Sequence, residues 1–241
     1  TVVGDEAGTA ITTGDNNVAV GYAALDAATT ASSNVAVGAN VLTANTNGSS
    51  NTGIGNDALL SNTSGSYNVS VGAGTLDANV GGNFNTALGT SSLGANTSAS
   101  NNTALGYSAL TANTTGTDNV AVGANALDAN TTGGQNIVAG VNALGANTTG
   151  GQNTALGHRS LATNTTASNN TAVGYNTLEL NTTGASNTAI GRQALTANTT
   201  ASNNTAVGYA SLLANTTGEY NTAVGALAGD AITTGPYNTA F

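Results

Sequence analysis

Apolar and polar residues recur along this chain with a period of 17. Aligned from Thr1, the sequence divides into fourteen consecutive copies without an insertion or deletion, and residues 239–241 begin another copy. Positions 1 to 17 denote the residues of the consensus, T-A-V-G-x-x-A-L-x-A-N-T-T-G-x-x-N. Position 4 is always Gly, position 17 is always Asn, and position 8 is Leu in the twelve inner copies. A fixed short period of this kind predicts a stack of equivalent structural units.

Each copy has the pattern of short strands separated by turns. T-A-V is typical of a strand that Gly ends, A-L-x-A predicts a second short strand, and N-T-T-G predicts a turn. Helical repeats are longer than thirty residues, and Gly in every copy disfavours a helix. The sequence therefore predicts an all-β protein, a single β-solenoid (parallel β-roll) of 14 coils with two short strands per coil. The array spans residues 1–241 as coils 1–17, 18–34 and so on to 222–238.

In a solenoid, each residue lies about 4.8 Å from its equivalent in the next coil, which gives every position a column of like residues. Gly at position 4 predicts a corner with positive φ or a close backbone approach. Asn at position 17 suits the other corner, because it tolerates a left-handed backbone and stacked amides can hydrogen-bond. Thr at position 12 predicts a parallel column of hydroxyls. The predicted corner columns include Gly4, Gly21, Gly38, Gly106, Gly174, Gly225, Asn17, Asn34, Asn119, Asn187 and Asn238.

Positions 3 and 8 supply the large apolar side chains, so we expect them to form the core, with small Ala at positions 7 and 10. The predicted core includes Val20, Leu25, Leu110, Leu127, Leu178, Val207 and Leu212. A single coil has too little apolar surface to fold alone, and its stability must come from its neighbours.

Charged residues are only 5% of the chain, which carries a net charge of −9 with two Arg and no Lys. This composition opposes nucleic acid or an anionic membrane surface as a partner. No apolar run is long enough to predict a membrane span.

Acids recur at position 9 of every third coil: Asp26, Asp77, Asp128, Glu179 and Asp230. We interpret them as spaced, solubilising charges, with a cation- or partner-binding stripe as the alternative.

Nothing in the sequence predicts catalysis, a metal site or a cofactor. His158 is the only histidine, and it falls at the variable, outward position 5. No phosphate-binding loop is present, and there is no Lys to complete one.

Aromatic residues favour positions 5 and 16, where they either cover the columns or form a rim for lateral contact between chains or for carbohydrate binding. The candidate contact residues at position 5 are Tyr22, Tyr107, Tyr175 and Tyr209. Those at position 16 are Tyr67, Phe84, Tyr220 and Tyr237.

The first and last copies differ from the others in the same way. Both have Gly at position 8 (Gly8, Gly229) and Ile at position 11 (Ile11, Ile232). No cap is visible, and Phe241 lies within the start of a further coil. Open solenoid edges are templates for pairing, so either the chain belongs to a longer protein or molecules stack end to end. We expect molecules to stack end to end, with Gly8, Ile11, Gly229, Ile232 and Phe241 at the junction.

Two protein families resemble this sequence. Asn102–Tyr107 (N-T-A-L-G-Y) and Asn113–Gly116 (N-T-T-G) resemble the repeats of bacterial and phage tail-fibre-like proteins, which often precede a self-cleaving chaperone domain. The N-x-A-[VIL]-G half also resembles the heads of YadA-like trimeric autotransporter adhesins, in which three β-rolls pack side by side. The resemblance implies a fibrous, oligomeric protein that is extracellular or at the cell surface.

Three functions follow as expectations. The first is a structural subunit of an extracellular fibre or filament whose partner is itself. The second is a trimeric adhesin head or phage tail-fibre shaft that binds carbohydrate or a host surface. The third is ice binding, since Thr pairs such as Thr114-Thr115 recur along one edge.

Overall fold

The computed structural model describes all residues from Thr1 to Phe241 and contains no helix. The chain forms two compact units, Thr1–Asp118 and Asn119–Phe241. Each unit is a parallel β-solenoid in which consecutive strands pair at an offset of 17 residues, as in the pairs Val35–Thr52 and Thr171–Thr188. The predicted all-β solenoid with 17-residue coils is therefore confirmed.

Short strands follow one another in chain order along the sheet of each unit. The first unit contains β1 (Val2–Val3), β2 (Val18–Val20), β3 (Val35–Val37), β4 (Thr52–Ile54), β5 (Val69–Val71), β6 (Thr86–Leu88) and β7 (Thr103–Leu105). The second unit contains β8 (Val120–Val122), β9 (Ile137–Ala139), β10 (Thr154–Leu156), β11 (Thr171–Val173), β12 (Thr188–Ile190), β13 (Thr205–Val207), β14 (Thr222–Val224) and β15 (Thr239–Ala240).

The prediction of two strands per coil is wrong, because each coil has only one. In place of the second strand, positive φ angles occur at position 6, just before A-L-x-A, and at position 8 within it, such as 50° at Ala23 and 53° at Leu25. Two left-handed residues so close together cannot form a strand, yet the segment still bonds to the next coil. The Leu25 N–H donates to the Val41 carbonyl at 3.0 Å. A left-handed Leu costs about 1–2 kcal/mol, which the burial of its side chain, about 1.5–3 kcal/mol, offsets.

The apolar core consists of positions 2, 7 and 8. The residues at position 7, such as Ala58, are buried as predicted, whereas those predicted for the core at position 10 are partly exposed. The Leu side chains at position 8 are completely buried, as expected, and so are most small residues at position 2, such as Ala104 and Ala189. The prediction that position 3 lies in the core is wrong, because Val20 and Val207 are only half-buried. In a three-residue strand, the first and third side chains point to the same side and the second to the other. Here the second side chain faces inward.

The other half of the interior is polar and consists of two Asn columns at positions 11 and 17. At position 17, Asn51 donates its N–H to Asn34 Oδ1 at 2.9 Å and its amide to the Gly65 carbonyl at 2.8 Å. At position 11, Asn62 donates its amide to Asn45 Oδ1 at 2.9 Å and to the same Gly65 carbonyl at 3.0 Å. The two columns therefore converge on the position-14 carbonyl.

The left-handed residue at this corner is at position 16, not at position 17 as the sequence suggested. Ser33 and Ser50, for example, have φ angles of 61° and 59°. The neighbouring Asn residues therefore stabilise the corner through hydrogen bonds of their buried side chains and not through a left-handed backbone. Asn34 Oδ1, for example, accepts the Asn51 N–H.

The Gly column at position 4 forms the opposite corner. These residues have φ angles between 123° and 147°. A Cβ on Gly157 would lie 2.3 Å from the Gly174 carbonyl oxygen, and the same overlap recurs in other coils. Both features predicted for this position, the positive φ and the close backbone approach, are present.

Candidate interaction surfaces

The position-5 column of the second unit combines aromatic and cationic side chains. The rings of His158 and Tyr175 stack with their centroids 5.4 Å apart. The Arg192 guanidinium carbon lies 5.9 Å from the Tyr175 ring centroid and 5.7 Å from that of Tyr209. Because each residue belongs to the next coil, these four exposed side chains form one continuous row that the fold spaces at about 4.8 Å.

The four predicted contact tyrosines do not form one cluster. Tyr175 and Tyr209 flank Arg192, whereas Tyr22 and Tyr107 lie in the first unit with Ala39 and Thr90 as position-5 neighbours. Tyr22 is 52% exposed, and a hydrogen bond to the Glu6 carboxylate raises the pKa of its phenol. The sequence located these residues on the surface but did not reveal that Arg192 stacks between two of them.

The chain has two Arg residues and no Lys, and both Arg residues lie in the second unit. Arg159 forms a salt bridge to Glu179 at 2.7 Å, whereas Arg192 contacts no carboxylate. Both Arg residues and His158 belong to the second unit, on a protein whose net charge is −9.

Position 16 carries a second set of aromatic contacts. Tyr67 stacks on Phe84, and Tyr220 stacks on Tyr237, with a centroid separation of 5.1 Å in both pairs. The left-handed backbone at this position directs all four side chains outward, where they are at least 48% exposed.

The outer face of the sheet in each unit is apolar and uncharged. It consists of the side chains at positions 1 and 3, where Val, Ile, Leu and Thr predominate and no charged residue occurs. Its members include Ile54, Leu88 and Ile190, which are 39%, 45% and 40% exposed. A regular, exposed apolar surface of this kind is typical of a contact between protein chains.

The Thr residues of N-T-T-G form two columns along one edge. In the second unit, each coil has Thr at positions 12 and 13 without interruption. The position-12 hydroxyl is engaged within the fold, as when Thr148 donates to the Thr165 carbonyl at 3.0 Å. Only the exposed position-13 hydroxyls, such as that of Thr166, are free of this backbone contact.

N-T-T matches the N-x-[ST] acceptor sequence for N-glycosylation, but its Asn residues are inaccessible in the folded chain. Asn181 is completely buried, and its amide nitrogen donates to Asn164 Oδ1 and to the Gly184 carbonyl, each at 2.9 Å. Because glycosylation modifies that nitrogen, it would have to precede folding of the coil.

The position-9 carboxylates of Asp77 and Asp128 lie over Gly residues of the next coil. A Cβ on Gly145 would be 3.1 Å from Asp128 Oδ1, and a Cβ on Gly94 would be 3.4 Å from Asp77 Oδ1. Burial raises the pKa of both carboxyls above the ordinary Asp value, although neighbouring backbone N–H groups oppose this effect. These acids are therefore packed against the coil surface rather than fully hydrated.

We expect Asp128→Asn to stabilise the protein at neutral pH. A raised pKa means that the folded state holds the proton more tightly, so ionisation costs stability as the pH rises from the ordinary value of about 3.9 through the raised value. The gain should disappear below about pH 4, where Asp128 is protonated in both states. Thermal unfolding measured against pH tests this expectation. Asp230→Asn removes the same formal charge from an exposed side chain and is the control. An equal gain in both variants would contradict a local effect of burial.

The predicted junction residues form a compensating pair within each terminal coil. A Cβ on Gly8 would lie 3.0 Å from Ile11 Cδ1, and one on Gly229 would lie 3.0 Å from Ile232 Cδ1. The Ile side chain thus reaches the space beside position 8, where the inner coils have Leu. Phe241 is 91% exposed. Because Ile at position 11 fills the space left by Gly at position 8, the two residues occur together in both terminal coils. Stacking between molecules stays a proposal.

The surface has no detectable cavity, and no group of three or more His, Cys, Asp or Glu side chains is arranged to hold a metal ion. No helix is present that could cross a membrane. Comparison with family models, curated proteins and solved structures yields no match.

Proposed function

We propose that the chain is a stiff structural segment of an extracellular fibre. The supporting observation is that, within each unit, hydrogen bonds join successive coils at intervals around their whole circumference. In the coil 171–187, the N–H groups of Gly174, Leu178 and Thr182 donate to carbonyls of adjacent coils at 2.8, 3.0 and 2.8 Å. Bending such a stack stretches hydrogen bonds on one side whichever way it bends.

The buried Asn columns add to this stiffness. Buried Asn187, for example, donates its backbone N–H to Asn170 Oδ1 of the coil before it. Its side chain donates to the Ala201 carbonyl and accepts from the Asn204 N–H of the coil after it. Displacement of one coil would leave buried donors without acceptors, which costs about 1–3 kcal/mol for each group. The fold therefore favours a mechanical role.

End-to-end stacking is the mode of assembly that we propose for this fibre. β1 pairs only with β2, and β15 pairs only with β14, so each has one unpaired strand edge. Within each unit, a strand pairs with the preceding coil through one edge and with the following coil through the other. β1 has the first kind of edge free and β15 has the second, so the two free edges match. Joining them would extend the parallel sheet from one molecule to the next.

A lateral bundle, as in a trimeric adhesin head or tail-fibre shaft, is the second candidate. The uncharged outer sheet face favours it, because molecules of net charge −9 meet there with the least repulsion. The exposed row from His158 to Tyr209 would remain available for carbohydrate or a host surface in either assembly.

Electron microscopy and light scattering of the purified full chain distinguish these assemblies. We expect unbranched filaments, and we expect Val2→Pro to abolish them because it removes an edge N–H donor at the start of β1. Ile190→Lys places a charge on the outer sheet face and should leave filaments intact. Discrete trimers that Ile190→Lys dissociates would favour the lateral bundle instead. Monomers under all conditions would contradict both assemblies.

Ice binding is a third proposal, carried by the uninterrupted Thr pairs of the second unit. A thermal-hysteresis measurement tests it directly. Thr166→Lys, in the middle of the exposed position-13 column, should remove any activity, and absence of hysteresis in the unmodified chain would eliminate the proposal.

A further inference from the structure

Two stacked pairs at position 16 have the same geometry and differ by one hydroxyl group. The rings of Tyr220 and Tyr237 are 5.1 Å apart and inclined by 5°, and those of Tyr67 and Phe84 are 5.1 Å apart and inclined by 7°. All four residues have φ angles between 57° and 60°, so the backbone holds each pair parallel. Tyr220 is 48% exposed and Tyr237 is 76% exposed, so small oxidants reach both.

Oxidation of this chain is directed to tyrosine by its composition. The sequence contains no Cys, Met or Trp, and it contains seven Tyr. Cys and Met normally intercept oxidants in proteins, so their absence leaves the phenols as the main targets. Within the two units, only Tyr220 and Tyr237 stack directly on another Tyr, since Arg192 separates Tyr175 from Tyr209.

We propose that Tyr220 and Tyr237 form an oxidative cross-linking site, at which a dityrosine bond joins two successive coils. Each phenol loses one electron and one proton, and the two phenoxyl radicals form a carbon–carbon bond between ortho carbons. The hydrogens on those carbons then shift to the oxygens and restore two phenols. Hydrogen peroxide, acting through a haem peroxidase, accepts the two electrons and two protons and becomes two molecules of water.

The geometry favours coupling within one molecule over coupling between molecules. Rings held 5.1 Å apart meet at an effective concentration far above that of a dilute protein solution. The product is a covalent link between coil 205–221 and coil 222–238, parallel to the hydrogen bonds that already join them. It would hold these two coils of the second unit together and resist their separation, a property independent of the assembly proposed above.

Treatment of the dilute full chain with a haem peroxidase and hydrogen peroxide tests the site. We expect dityrosine fluorescence in the monomer fraction, with a yield per molecule that does not change when the protein is diluted tenfold. Digestion with elastase, which cuts after small residues such as Ala223 and Ala228, should release two peptides joined through Tyr220 and Tyr237. Their combined mass should be two hydrogens less than the sum of the separate peptides.

Matched variants make the result decisive. Tyr237→Phe should lose the intramolecular dityrosine while keeping the stack, because the Tyr67–Phe84 pair already has that composition. Phe84→Tyr should gain a second cross-linked peptide pair, between positions 67 and 84. Dityrosine found only in covalent dimers, or an undiminished intramolecular yield in Tyr237→Phe, would overturn the proposal.

Discussion

Gly89→Ala is expected to destabilise the protein by more than about 4 kcal/mol, a value reached only when a substitution breaks a structural necessity. Gly89 has a φ angle of 126°, a region in which a residue with a side chain is strained by about 1–3 kcal/mol. Its Cβ would also lie 2.5 Å from the Gly106 carbonyl oxygen. That backbone has little freedom to move, since the Gly106 N–H donates to the Leu88 carbonyl at 2.8 Å.

Two neighbouring glycines provide a graded control for this prediction. Gly74 has a φ angle of 59°, and its Cβ would make only an ordinary contact with Ser91 Oγ at 3.9 Å, so Gly74→Ala should cost only about 1–2 kcal/mol. Gly81 has no left-handed backbone, and its Cβ would meet only Ser64 Oγ at 3.5 Å, so Gly81→Ala should change stability by less than about 0.5 kcal/mol. Guanidinium unfolding followed by circular dichroism gives the order. Similar midpoints for all three variants would show that the close backbone approach does not limit stability.

Asn51→Ala is expected to cost about 3–5 kcal/mol, because it interrupts a buried amide column. Asn51 Oδ1 accepts both the backbone N–H and the amide of Asn68, at 2.9 and 3.1 Å. Without it, the buried N–H of Asn68 loses its acceptor and a cavity forms beside the Gly65 carbonyl. Because the coils depend on their neighbours, the loss should also weaken the coils on both sides.

Asn47→Ala is the matched control, since it removes an exposed amide in the same coil. The contact of Asn47 is a long hydrogen bond, 3.3 Å, from the Thr30 hydroxyl. Its removal should change the free energy of unfolding by less than about 0.5 kcal/mol. Hydrogen exchange locates the effect. We expect faster exchange at the Asn68 N–H in Asn51→Ala alone, and unchanged protection there would contradict the role assigned to the column.

The period of the sequence was sufficient to predict the solenoid and several of its columns. Gly at position 4 and Asn at position 17 never vary, and only stacking of equivalent residues gives one residue the same role in every coil. Leu at position 8 was correctly placed in the core, because no other position supplies so large an apolar side chain so regularly. The exposed location predicted for Tyr175 and Tyr209 also agrees with the structure.

The candidate surfaces were harder to predict, because they depend on which side chains become neighbours outside the core. The sequence identified aromatic residues at positions 5 and 16 but not the Arg192 sandwich or the parallel Tyr220–Tyr237 stack. Those contacts arise only when the stacking of coils is combined with the backbone conformation at each position.

The sequence by itself determined that like residues lie above one another, since 17-residue spacing without insertions permits one register. Only the tertiary structure decided which residues face inward. Position 2 faces the core although position 3 is more apolar. Left-handed residues at positions 6 and 8 accompany this arrangement, in which the Leu at position 8 packs beside position 2. No local preference predicts a left-handed Leu. That conformation is stable only because burial and the hydrogen bonds of adjacent coils offset its cost.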